Sequence, residues 1–105
     1  MGDRRFEKRH AASEPVEIVW PAEGESNTHQ AVGTLRDVSR SGARLYLEKP
    51  VPLNTSLRAT IRGVALTATV RSCTRKAPFF VIGIEFDPQF QGRVKTRPDP
   101  SASGL

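Results

Sequence analysis

Cysteine and long apolar runs are nearly absent from this chain of 105 residues. Its one cysteine, Cys73, has no partner for an intramolecular disulfide, and this usage is typical of a reducing, cytoplasmic compartment. No run of about 18 apolar residues occurs, so the sequence predicts no transmembrane helix and no membrane insertion. The charged start of the chain is not followed by an apolar stretch, so no secretory signal is expected.

Histidine and the usual catalytic patterns are scarce as well. His10 and His29 do not stand near cysteine or acidic residues at metal-ligand spacing, so we expect no metal site. No glycine-rich phosphate loop precedes a helix, and Cys73 lacks the sequence context of a nucleophile. We therefore expect no catalytic residues, no cofactor and no enzyme activity. The length allows one small domain with one core.

Positive charge is what the chain has in excess. It contains 16 lysine and arginine residues against 11 acidic residues, a net charge of +5 and a sequence pI near 10.1. This balance predicts an anionic partner, such as nucleic acid, a nucleotide, phosphate or acidic lipid. Most of the basic residues are arginine, whose planar fork favours recognition with defined geometry. A surface rich in arginine with no specific role is the equally weighted alternative.

Alternation of apolar and polar residues with period two is the dominant pattern, and it predicts β-strands. It occurs in six short segments, 16–20, 31–38, 43–48, 57–62, 65–71 and 79–86. Arg62-Gly63 between two of them predicts a tight hairpin turn. Six short strands at nearly regular spacing indicate a mainly β protein, an antiparallel barrel or sandwich, and closure into a barrel removes exposed strand edges.

The ends of the chain differ from this central part. Residues 1–13 contain only Phe6 as a large apolar anchor, which predicts a flexible N-terminal arm. Residues 14–90 hold the predicted strands. Residues 91–105 are polar and rich in proline, so we expect a disordered tail that buries too little apolar surface to offset its ordering entropy.

Two short motifs stand out, although each alone is weak. The first is Arg5-x-x-x-Arg9, which in a basic chain also fits a solvated arm. The second is Asp37-x-Ser39-x-x-Gly42, which also fits a strand followed by a turn. In that interpretation Asp37 and Ser39 bond to nearby backbone and Gly42 supplies a positive φ.

Together, in this order and at this spacing, the motifs resemble those of the PilZ domain, a bacterial receptor for cyclic di-GMP. The segment Phe80-Val81-Ile82-Gly83-Ile84-Glu85-Phe86 resembles the last strand of the family. The resemblance implies a six-stranded antiparallel PilZ-like β-barrel and a role in second messenger signalling. Many members follow the last strand with a helix that has a leucine-rich face, and residues 89–105 have no such face.

The resemblance also implies a role for each motif residue. Arg5 and Arg9 would meet the O6 and N7 acceptors of guanine and neutralise phosphates. Asp37 would accept hydrogen bonds from the N1–H and N2–H₂ donors of guanine. Ser39 would donate to a phosphate or purine acceptor, and Gly42 would leave room for the ligand.

Four further arginines are candidates for the same site. In the family, an arginine before the first motif arginine supports a stacked pair of nucleotides, so Arg4 favours the dimeric ligand. Arg40, Arg44 and Arg71 are further candidates for stacking or phosphate contacts, with simple surface exposure as the alternative. The expected mechanism is that the ligand orders the arm on the barrel and presents a new surface to an unknown protein partner.

Two other functions remain open at this stage. A small basic β-barrel that binds single-stranded nucleic acid fits the charge, but such surfaces usually carry several exposed aromatic side chains. Here Trp20, Phe80 and Phe86 are assigned to the core, which leaves Tyr46 and Phe79 and disfavours nucleic acid. The second alternative, a PilZ-like interaction module without a ligand, is disfavoured because both motifs are present.

Overall fold

The fold of the chain is a closed antiparallel barrel of six strands, seen in a computed structural model that describes residues 8–21 and 27–96. Around the barrel the strands follow the order β1-β2-β3-β6-β5-β4, and β4 pairs back with β1. In chain order the strands are β1 (His10–Pro21), β2 (Thr28–Val38), β3 (Gly42–Leu47), β4 (Ser56–Ile61), β5 (Val64–Lys76) and β6 (Phe79–Phe86). The predicted fold class is confirmed.

The core consists of the inward-facing half of each strand, as the alternation predicts. Leu45 and Ile82, which pair across β3 and β6, are fully buried. Trp20 and Phe86 are buried in the same cluster, and Phe80 is partly buried against it. The aromatic side chains predicted to fill the core therefore do so, which leaves Phe79 exposed on the outer face.

The hairpin between β4 and β5 has the predicted tight turn. Arg62 and Gly63 have φ values of 52° and 81°, so both central residues lie in the left-handed region. A two-residue turn with positive φ at both positions matches the right-handed twist of the flanking strands. This turn lies at the end of the barrel where β1 begins and where β2 and β6 end, which we call the motif end.

The first strand begins earlier than predicted. It starts at His10, so residues 10–13, assigned to the arm from the sequence, belong to β1. Ala11 pairs with Asp37, and the pairing register shifts between Ala11 and Glu14. Exposure still alternates here, but the less exposed positions are His10, Ala12 and Glu14 rather than large apolar residues, so period two did not reveal this part of the strand. Residues 8 and 9 of the predicted arm precede the strand, and residues 1–7 lie outside the described residues.

The segment after β6 closes the motif end of the barrel. A short 3-10 turn spans Pro88–Phe90, and beyond it Val94 is buried in the core cluster. The Gly92 amide donates to the Arg40 carbonyl at 2.9 Å. The prediction of a disordered tail from residue 91 is therefore wrong for residues 91–96, because one valine in a polar stretch fills the open barrel end. The predicted tail residues 97–105 lie outside the described residues.

Among the described residues, helical structure is limited to the short 3-10 turn Pro88–Phe90. Within residues 8–21 and 27–96, no helix is long and apolar enough to cross a membrane.

Candidate functional site

A bulge in β2 decides where Asp37 lies. Arg36 is an extra residue in the pairing of β2 with β3, so the register shifts between Leu35 and Asp37. Without the bulge, alternation after the buried Leu35 would direct Asp37 into the apolar core. With it, Val38 takes the core position and Asp37 pairs with Arg44. The carboxylate is thereby kept out of the apolar interior.

Asp37 is the centre of an arginine cluster. Arg9 Nε donates to Asp37 Oδ1 at 2.7 Å, Arg44 Nη2 lies 3.1 Å from Oδ2, and Arg36 Nε lies 4.0 Å from Oδ2. The side chain of Asp37 is only 12% exposed. Burial alone raises the pKa of its carboxyl, but hydrogen bonds and charges from Arg44 and Arg9 outweigh burial and leave the pKa below its ordinary value. Asp37 is therefore a stable anion that orders two guanidinium groups.

Ser39 supports the same cluster from a fully buried position. Its hydroxyl accepts a hydrogen bond from Arg9 Nη1 at 3.3 Å and donates to the Gly42 carbonyl at 3.3 Å. The Ser39 amide donates to the same carbonyl at 2.8 Å. Arg9 therefore spans both polar residues of the second motif, while the hydroxyl proton of Ser39 is directed to backbone.

Gly42 has a different structural role from the one predicted. Its φ is not positive, so the expectation of a left-handed turn residue is wrong. Gly42 is the first residue of β3 and pairs with Glu85 of β6. A Cβ at this position would overlap the Ile84 carbonyl. Close packing between β3 and β6 therefore requires glycine here.

A groove of about 310 Å³ lies beside the cluster, over β3, β6 and β5. Gly83 of β6 pairs with Arg44 on one side and Ser72 on the other, and the Ser72 hydroxyl lies over the place that a Cβ of Gly83 would take. The groove is lined by Arg9, Ser41, Gly42, Ala43, Arg44, Arg71, Ser72, Gly83, Ile84 and Glu85.

Arg71 flanks the groove from the β5 side, opposite Arg44. It is the extra residue of a second bulge, because the pairing of β5 with β6 shifts between Val70 and Ser72. Arg71 Nε donates to Glu85 Oε1 at 2.8 Å, and Nη1 donates to Asn54 Oδ1 at 3.4 Å. Two of the four candidate arginines outside the motifs, Arg44 and Arg71, therefore lie at the groove.

Arg40 is not among the residues that line the groove. Arg40 is exposed, and its side chain lies beside Gly92 of the segment that closes the motif end. Arg4 and Arg5 lie outside the part of the chain that the structure describes.

Sequence reasoning missed the β6 side of the site. Gly83 and Glu85 belong to the segment that resembles the last strand of the family, but neither was predicted as a site residue. Their role depends on the pairing of Gly83 with Arg44 and of Glu85 with Gly42, which links segments about 40 residues apart. A local pattern contains no signal for that register.

The groove is suited to a planar, anionic ligand. It presents the guanidinium groups of Arg9, Arg44 and Arg71, against the carboxylates of Asp37 and Glu85. Guanidinium forks bind phosphate and purine acceptors in two parallel hydrogen bonds and stack on flat rings. Among the described residues, no three histidine, cysteine or acidic side chains form a group that could hold a metal ion.

Similarity to known proteins bears on the family and the fold of the chain. The family model for the PilZ domain matches residues 3–95. No curated protein matches the chain. Among solved structures, it is similar to the PilZ domain with c-di-GMP of YcgR from Escherichia coli, with a TM-score of 0.60 and 15% identity. The match covers 88% of this chain and 86% of the other, and at this identity it bears on the fold alone.

Proposed function

This chain belongs to the PilZ domain family, and we propose that it is a receptor for cyclic di-GMP, which binds in the groove beside Arg9, Arg44 and Arg71. One observation carries the proposal. The guanidinium of Arg9 in the first motif contacts both Asp37 and Ser39 of the second, across 28 and 30 residues of sequence. Arg9 of the first motif therefore lies beside Asp37 and Ser39 of the second, at the edge of the groove.

The chemistry of the ligand fits this site. Cyclic di-GMP is a dianion with two guanines, and each guanine presents O6 and N7 as adjacent acceptors. An arginine meets these acceptors in a bidentate contact that discriminates between bases by about 1–3 kcal/mol. Arg9 and Arg44 are already oriented by Asp37, so less conformational entropy is lost when they bind the ligand.

Signalling in this proposal depends on the segment before Arg9. Arg5 contacts the bound ligand, and Arg4 supports a stacked pair of nucleotides. The ligand bridges this segment to the barrel and orders it, and the ordered form presents a new surface to a protein partner. The chain then acts in the cytoplasm as a non-catalytic receptor.

Isothermal titration calorimetry with cyclic di-GMP tests the binding step. We expect saturable binding, with two nucleotides per chain for a stacked pair and one for the Arg4→Ala variant. The Arg5→Ala/Arg9→Ala double variant should lose most of the affinity. Arg58→Ala, which removes an exposed arginine on β4 outside the groove, is the matched control for lost charge.

Several results would contradict the receptor proposal. If the wild-type protein gives no saturable heat signal, the proposed binding of cyclic di-GMP is contradicted. If the double variant keeps full affinity, Arg5 and Arg9 do not contribute to binding. A gel shift of single-stranded oligonucleotide that cyclic di-GMP does not affect would favour a nucleic-acid-binding barrel instead.

A further inference from the structure

An ion pair between Arg71 and Glu85 lies within the groove itself. Arg71 Nε and Glu85 Oε1 are 2.8 Å apart, and the two side chains are 56% and 49% exposed. Ion pairs this exposed contribute little to the stability of a fold, because water screens them and both side chains lose rotamer entropy. The pair can therefore open at low cost.

Glu85 is the acidic side chain among the described residues that line the groove. It extends from β6 opposite Gly42, which has no side chain to shield it. Glu85 therefore lines the groove of the proposed ligand site and forms an ion pair with Arg71, another residue of that lining.

The two carboxylates of the site differ in how easily they release an arginine. Asp37 is 12% exposed and is contacted by Arg9 and Arg44 together, so water replaces its partners poorly. Glu85 is half exposed and has one arginine partner in Arg71, so water replaces that contact readily. An incoming anion would displace Glu85 first.

We propose that Glu85 is a competitive restraint on ligand binding. It occupies Arg71 in the free protein and is displaced when a phosphate of cyclic di-GMP takes that arginine. This inference rests on the proposed receptor function and adds to it a residue that sets the affinity. It predicts that the wild-type groove binds its ligand more weakly than the arginines alone would allow.

Calorimetry on four proteins tests this restraint: wild type, Glu85→Gln, Arg71→Met and the double variant. Glu85→Gln keeps the shape of the side chain but removes its charge, and we expect about two- to fivefold tighter binding of cyclic di-GMP. In the Arg71→Met background, the same substitution should increase the affinity for cyclic di-GMP clearly less. Glu17→Gln, an exposed residue of β1, is the matched control for net charge and should leave the affinity unchanged.

The outcomes separate this inference from the receptor proposal. If wild type binds and Glu85→Gln binds equally or more weakly, the restraint is contradicted while the receptor function stands. If Glu85→Gln raises the affinity equally in wild type and in the Arg71→Met background, the effect is general charge repulsion between Glu85 and the ligand. That result would also contradict the restraint. If neither wild type nor Glu85→Gln binds cyclic di-GMP, both proposals fail.

Discussion

Arg9 Nε and Asp37 Oδ1 lie 2.7 Å apart, although 28 residues of sequence separate them. The contact follows from the register of β1 and β2, in which Ala11 pairs with Asp37 and His10 with Val38. Arg9 precedes β1 directly, so the hairpin that builds one side of the barrel also delivers an arginine to the carboxylate. The pairing of β1 with β2 thus brings residues of the two motifs into contact.

The charge of Asp37 should make part of the stability depend on acid pH. Its pKa is lowered in the fold, so its stabilising contribution is present above the ordinary aspartate pKa of about 3.9. That contribution is lost as the pH falls through the lowered value. We expect Asp37→Asn to cost about 1–3 kcal/mol near neutral pH, and less in acid, because charged hydrogen bonds to Arg9 and Arg44 are weakened.

Urea unfolding of both proteins from neutral to acid pH measures this difference. Two curves that stay parallel down to pH 3 would show that the carboxylate charge of Asp37 contributes nothing to folding.

Gly42→Ala should lower the stability of the whole fold, and not only change the shape of the groove. A Cβ on Gly42 would overlap the Ile84 carbonyl, and this backbone atom moves only if β3 and β6 separate. Overpacking of this kind costs about 1–3 kcal/mol, measured as a lower urea midpoint with an unchanged slope. Gly63→Asn is the control, since nothing lies within 4 Å of a Cβ there and asparagine tolerates positive φ. Equal loss in both variants would contradict the steric account.

The sequence predicts more of the fold than of the site, and the bulges explain why. Alternation identified every strand because the inward residues are apolar along most of each strand. It failed near Arg36 and Arg71, where one extra residue reverses which side chains face the core. The motifs marked Arg9 and Asp37, but the residues opposite them, such as Glu85, join the site only through pairing between distant strands.

Gly83→Ala should separate ligand binding from stability. A Cβ there meets the Ser72 hydroxyl, the end of a side chain that can rotate away, so we expect less than about 1 kcal/mol of lost stability. The methyl group would stand on the groove floor, and calorimetry should show about tenfold weaker binding of cyclic di-GMP. Adding Ser72→Ala should restore stability but not affinity. Unchanged affinity in Gly83→Ala would mean that the ligand does not reach this floor.

Arg62 should hold the closing segment on the barrel. Its guanidinium donates to both Glu14 carboxylate oxygens, from Nε to Oε1 at 3.1 Å and from Nη2 to Oε2 at 2.6 Å, and Nη1 donates to the Lys95 carbonyl. Arg62→Asn keeps a residue that accepts positive φ in the turn but removes these contacts. We expect a loss of about 1–2 kcal/mol, because bidentate bonds to a half-buried carboxylate are stronger than ordinary surface pairs.

The same variant tests whether this contact also fixes the residues before Lys95. The Gly92 amide, bonded to the Arg40 carbonyl, should exchange its hydrogen faster in Arg62→Asn, since local opening of the segment becomes easier. Glu14→Gln is the matched comparison, because it weakens the ion pair but leaves the bond to the Lys95 carbonyl in place. If both variants lose equal stability and Gly92 exchange stays at the wild-type rate, Arg62 acts through Glu14 alone. Faster exchange only in Arg62→Asn would instead assign the closure of the motif end to the carbonyl contact.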